Sequence, residues 1–275
     1  MPISVNTNVN ALLAQQYLTE NQQGLAKAMQ RLSSGLRINE AADDPAGLAI
    51  VTSMTTSASA LRQASRNAND GISLIQTAQG AMSNINNLLT QMTTLAVQGS
   101  SGTYSSTQLT DLNKNFTALL TEINRVASVT TFNGVALLNN SNTVTIQVGG
   151  GNTANDRLSI TLANMTTGST GLNISGLTVD TSANAQAALS ALSGITAVTS
   201  ALASFGANQV NLQAAYSSNN STATNLESAK SRIADADFTV ESSNLAKYNI
   251  LNQSNVAMLA QANSTPQLVL QLLRG

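Results

Sequence analysis

The feature that most constrains this chain is an apolar repeat of seven that runs through its first and last thirds. Ala11, Leu18, Leu25 and Leu32 recur at intervals of seven. From residue 57 onward Leu61, Ala64, Ala68, Ile75, Met82, Ile85, Leu89, Met92 and Ala96 step by three, four or seven. Such spacing puts one narrow stripe on an α-helix and matches no strand period. A helix of about 40 residues, about 60 Å long, belongs to a coiled coil or bundle. Gly71 and Gly80 interrupt its propensity. After a break at 99–106, Leu109, Leu112, Phe116, Leu119, Ile123 and Val126 resume the period, with Ser106 or Thr107 as the expected cap. A break this short favours an antiparallel return.

Residues 130–180 change period. Val144, Ile146 and Val148 alternate with Thr143, Thr145 and Gln147, and Leu158, Ile160 and Leu162 do the same across Gly149–Gly151. This predicts a β-hairpin with a Gly-rich turn. No Walker Lys or GxGxxG accompanies the glycines, so a phosphate cradle is not expected. Helical period returns near Asn184 and continues through Leu192, Ile195, Leu202, Phe205, Leu212, Tyr216, Leu226 and Ile233, predicting a helix of about 50 residues, about 75 Å long. Asn244–Leu259 forms a last amphipathic helix, which Pro266 is expected to interrupt before the apolar cluster Leu268–Leu273. The fold class is therefore mainly α: a long antiparallel helical bundle, rod-shaped, with a small β-hairpin region.

Composition narrows the function. Of 275 residues, none is Cys, His or Trp, and 9% are charged. That excludes disulfides, thiolate or imidazole metal sites, and Ser-His-Asp catalysis. With 12 basic and 13 acidic residues, no nucleic-acid partner is expected. No cofactor, metal site or enzymatic activity is expected. Asp43-Asp44 lacks further acidic ligands for Ca²⁺, so Asp44 is expected to cap a helix with Pro45 in its first turn. Asp235 and Asp237 do not share a helical face and are expected to start the last helix. No run of about 18 apolar residues suggests a membrane span, and no cleavable signal is expected at the N-terminus. Residues 1–30 carry only Glu20 and Lys27 as charges. A helix so poor in charge, with no core nearby, must bury its stripe against the other terminal segment or against further copies.

Five strings, LSSGLRINEAADDPAGLAI (32–50), QASRNANDGISLIQTAQGAM (63–82), INRVASVTTFNG (123–134), SRIADADFTVESSNLAK (231–247) and LAQANSTPQLVLQLLR (259–274), resemble bacterial flagellin in content and order. The resemblance implies an inner-tube domain from residues 1–44 and 236–275, paired as helices. It implies a rod-like helical domain at 45–235 with the hairpin region at about 130–180, and no outer domains. Assembly residues would be Leu18, Leu25, Leu32, Leu259, Leu268, Leu272 and Leu273. Arg31, Arg37, Asp43 and Asp44 would serve the connecting segment, the arginines pairing with Glu40, Asp43 or Asp44. The implied function is the structural subunit of the extracellular flagellar filament used for swimming, exported without a cleavable signal. A hook–filament junction protein or a secreted surface adhesin is the alternative. Implied partners are many copies of the chain, the flagellar type III export apparatus, a filament cap, and an export chaperone at the C-terminal segment. Host innate immune receptors are a further partner class. The segment facing the animal Toll-like receptor aligns with 88–98, where Leu95 keeps the apolar contact. Gln91, Thr94 and Asn115 replace the charges of the stimulatory pattern, so weak activation is expected.

Overall fold

The structure, a computed structural model, describes residues 7–192 and 195–274, with side chains through residue 265. It is mainly helical. The elements are α1 (Val9–Ser34), α2 (Pro45–Ser100), α3 (Ser106–Val129), β1 (Thr131–Phe132), β2 (Val135–Ala136), β3 (Thr143–Gln147), β4 (Arg157–Thr161), α4 (Ser182–Leu192), α5 (Thr196–Ala234) and α6 (Phe238–Arg274). They form two compact units, residues 1–56 with 225–275, and residues 57–224.

The second unit holds the apolar core. On α2 two interleaved heptad series are buried: Ala68, Ile75, Met82, Leu89 and Ala96, and Ala64, Gly71, Ala78, Ile85, Met92 and Gly99. This is the seam of a coiled coil. Phe116, Ile123 and Ala127 of α3 and Val198, Phe205 and Leu212 of α5 fill the same core. Two of the helical glycines mark close approach. A Cβ on Gly71 would lie 3.1 Å from the Leu212 side chain, and one on Gly99 would lie 3.2 Å from Ala185. Gly80 faces open space.

The hairpin pairs β3 with β4 antiparallel, Thr145 opposite Ser159. Its outer carbonyls are met by amides from two helices: Asn67 donates to Gln147 O at 3.1 Å, and Asn219 to Val148 O at 2.7 Å. The Gly149–Gly151 turn wraps the Asp156 carboxylate, which accepts from Thr153 N and Oγ1 at 2.9 and 2.7 Å. A Cβ on Gly149 or Gly151 would overlap that carboxylate, so the glycines serve the turn.

The structure corrects several expectations. The apolar period places the long helix from about 57, whereas it begins at Pro45, where Asp44 caps it as expected, Oδ1 accepting from Gly47 N at 2.8 Å. The α3 cap is Ser105, not Ser106 or Thr107; a reciprocal capping box with Gln108 satisfies both ends. The expected 50-residue helix is described as α4 and α5, and the residues between them that would test its continuity, 193–194, lie outside the described residues. A second, shorter hairpin, β1–β2, closes through Asn133 and Gly134, both at positive φ (48° and 80°). That is the conformation an Asn-Gly pair adopts at low cost. Pro266 does not interrupt α6, which continues to Arg274. By length and composition the 182–234 stretch could cross a membrane. In this fold its Val198, Phe205 and Leu212 are buried in the core instead.

Helices this rich in Ser and Thr need a local explanation. Thr19, Thr55, Thr77, Thr90, Thr94, Thr117 and Thr224 each donate to the carbonyl four residues earlier, at 2.7 to 3.1 Å. The hydroxyl is thereby used within its own helix rather than in a competing turn.

Candidate assembly site

In the first unit α1 and α6 pack side by side. Asn8 meets Ala262, Gly24 meets Tyr248 and Arg31 meets Glu241, so the two run antiparallel. At Gly24 the approach is tight: an added Cβ would stand 2.5 Å from the Tyr248 ring. Glycine at this point lets an aromatic ring lie against helix backbone.

The pair buries little by itself. Ala28 is the buried residue of α1. Leu18, Leu25, Leu32 and Leu259 are half-buried. Val9, Leu12, Leu13, Tyr17 and Met29 of α1 are exposed, as are Phe238, Val240, Ile250, Val256 and Met258 of α6. Two faces of one helix cannot both meet a single partner, so the second apolar face stays uncovered. The side chains of Leu268, Leu272 and Leu273 lie outside the described residues.

A polar knot closes one end of the pair. Gly35 ends α1 in the left-handed conformation (φ 72°), its N–H bonded to Arg31 O at 2.9 Å. The following strand-like residues bridge to the α5–α6 junction: Arg37 N donates to Ala234 O at 2.6 Å, and Ala236 N to Gly35 O at 2.9 Å. The Arg37 guanidinium donates to Ile233 O at 2.6 and 3.2 Å. It therefore holds a carbonyl, where a carboxylate partner was expected. Arg31 stands 3.9 Å from Asp43 and donates to Glu241 at 3.1 Å. Lys27 lies 3.7 Å from Asp43. Asp43, with a side chain 7% exposed, accepts from Asn39 N at 3.2 Å. That backbone bond, then those from Glu40 and the charges of Arg31 and Lys27, hold its carboxyl below the ordinary value against the opposing effect of burial. Glu241 is buried and also accepts from Asn244 at 3.2 Å. Asp237 starts α6, accepting from Thr239 N at 2.8 Å.

Sequence reading missed Glu241, Lys27, Gly24 and Tyr248. Glu241 did carry a signal: it is the one acidic residue between 238 and 274, and Arg31 is one of few charges in the first helix. In the second unit Gln91, Thr94, Leu95 and Asn115 do come together. With Ala118 and Leu119 they line one groove of about 490 Å³ between α2 and α3. The Thr94 hydroxyl is turned back to Thr90 O at 3.1 Å, so its proton is used within α2. Among the described residues no metal-binding cluster of His, Cys, Asp or Glu is present.

Comparison with known proteins matches residues 5–143 to the bacterial flagellin N-terminal helical region and residues 191–273 to the bacterial flagellin C-terminal helical region. The chain is 42% identical to the flagellin of Halalkalibacterium halodurans, covering 98% of this chain and 99% of the relative. It is 36% identical to the flagellin of Listeria monocytogenes over 99% of this chain and all of the relative, 100%. A putative flagellar hook-associated protein from Vibrio parahaemolyticus shares the fold, with a TM-score of 0.58 over 70% of this chain and 100% of that one, at 13% identity. The span between the two matched regions contains the β3–β4 hairpin and α4, with no room for an outer domain.

Proposed function

The chain belongs to the bacterial flagellin family and is a structural subunit of the extracellular flagellar filament used for swimming; we propose that residues 1–44 and 236–275 form its inner tube. Residues 45–235 are assigned to a second, helical domain that carries the hairpin region. One observation carries this reading: α1 and α6 pair with each other and still expose apolar side chains on both helices, from Val9 to Met29 and from Phe238 to Met258. Water-exposed apolar area of this kind is stabilised by burial at about 25 cal/mol per Å², and further copies of the same pair supply the cover. Leu18, Leu25, Leu32 and Leu259, with Leu268, Leu272 and Leu273, form the seam. Arg31, Arg37, Asp43 and Asp44 serve the connecting segment that follows α1.

The subunit has no catalytic role, in keeping with a structural family and a chain without His or Cys. It leaves the cell through the flagellar export apparatus without a cleavable signal, is held by a chaperone on residues 236–275, and is placed under a filament cap. These partners follow from the family and from the uncovered face of α6. The test is truncation. Chains lacking residues 1–20 or 256–275 should give no filaments by electron microscopy. Normal filaments from either would end the inner-tube assignment.

A further inference from the structure

A heptad stripe holds two helices together but fixes their register weakly. Ala11, Leu18, Leu25 and Leu32 repeat at seven. A slip of α1 along α6 by one heptad, about 10 Å, would keep that same apolar stripe turned toward α6. Something polar must break the tie.

Pro266 creates the means. A helix passing through proline lacks one amide hydrogen, so the carbonyl four residues earlier loses its donor. In α6 that carbonyl belongs to Ala262. Ser264 Oγ and Thr265 Oγ1 both turn to Gln261 O, at 2.9 Å each. Ala262 O is reached from α1: Asn8 Nδ2 donates to it at 2.7 Å. The other end of the same amide caps α1, Oδ1 accepting from Ala11 N at 3.1 Å. One side chain thus serves an unpaired donor at the start of one helix and an unpaired acceptor inside the other. A shifted helix would carry the amide to a carbonyl already bonded within α6.

We propose that Asn8 is a positioning residue for polymerisation, locking the register of α1 against α6 at the carbonyl Pro266 leaves open. This rests on the reading that the two helices pair in the filament. The Arg31–Glu241 bond, at the opposite end of α1, sets the other limit of the register.

The experiment compares Asn8→Asp in two backgrounds. Aspartate keeps the cap on Ala11 but cannot donate to a carbonyl. Pro266→Ala returns an amide hydrogen to Ala262 O. Purified full-length subunits are polymerised and the critical concentration is measured. With Pro266 present, N8D should raise it about five- to tenfold, the lower end of the scale for an unsatisfied acceptor, as befits a half-buried carbonyl. With P266A, N8D should raise it no more than about twofold. Polymerisation of N8D like the parent, or an equal penalty in both backgrounds, overturns the proposal. If P266A by itself stops polymerisation, Asn8→Ser decides: it also caps without bridging and must fall with N8D. Parent-like filaments from N8S overturn the proposal in that case. Filaments from the chain lacking residues 1–20 would instead overturn the pairing of α1 with α6 itself.

Discussion

At the scale of single residues, Asp43 shows how a nearly uncharged chain uses the charges it has. Its carboxylate is received by the Asn39 N–H and lies near Arg31 and Lys27, which hold its pKa below the ordinary 3.8. A group depressed in this way stabilises the folded unit fully at pH values above its unfolded pKa. That contribution is lost as pH falls through the folded value, in the range below about pH 4. Asp43→Asn filaments should therefore be weaker than the parent near neutral pH and lose less on acidification, read as depolymerisation temperature against pH. Identical acid profiles would show that Asp43 does not stabilise the segment after α1. The cluster was partly legible in the sequence. Arg31, Asp43 and Asp44 stood out as part of a local charge cluster in a chain that is only 9% charged. The partner of Arg31 did not, because Glu241 lies 210 positions away and no local period connects the two. The role of Arg37 was hidden for a different reason: carbonyl oxygens are present at every residue and leave no mark in a sequence.

At the scale of elements, heptads told most of the story, and their exceptions tell the rest. The α5 series Val198, Phe205, Leu212 continues seven residues later with Asn219, which is 8% exposed. A buried amide in an apolar seam is costly unless bonded, and Asn219 is bonded to Val148 O. It ties the hairpin to α5 as Asn67 ties it to α2. Asn219→Ala should cost about 1–3 kcal/mol by leaving that carbonyl without its donor. Thermal unfolding of the full-length subunit by circular dichroism measures it, and an unchanged transition would remove Asn219 from any role in fixing the hairpin. Periodicity revealed α2 and α3 because their stripes are long and apolar. The period from residue 57 leaves out the first turns of α2, although Leu48, Val51 and Met54 carry the stripe back toward the start that Asp44-Pro45 marks. It missed the β1–β2 hairpin because two-residue strands are too short to show alternation, although Asn133-Gly134 was the available cue. It stopped α6 at Pro266 because proline's local cost was counted without the distant amide that offsets it.

At the scale of the whole molecule, what the chain omits governs what it can engage. The groove of Gln91, Thr94, Leu95 and Asn115 offers an apolar residue and three uncharged polar ones. A receptor that reads Arg and Glu at the corresponding places loses charge-assisted bonds of roughly 1.5–3 kcal/mol each. Reporter cells bearing the animal Toll-like receptor should respond weakly or not at all to this protein. Restoring Gln91→Arg with Thr94→Glu should raise the response by at least about tenfold, and full potency of the unaltered chain would refute the reading. The join between α1 and α6 carries one more consequence. Asn8 and Ala262 are 254 positions apart, so their contact closes a loop containing nearly every residue of the protein. For a flexible chain the entropy of closing a loop that long is about 5 kcal/mol, rising only slowly with length. The helices and hairpins of residues 57–224 close through much shorter loops and can form first. Closing the join therefore costs more chain entropy than any pairing within residues 57–224, so it gains least from forming early.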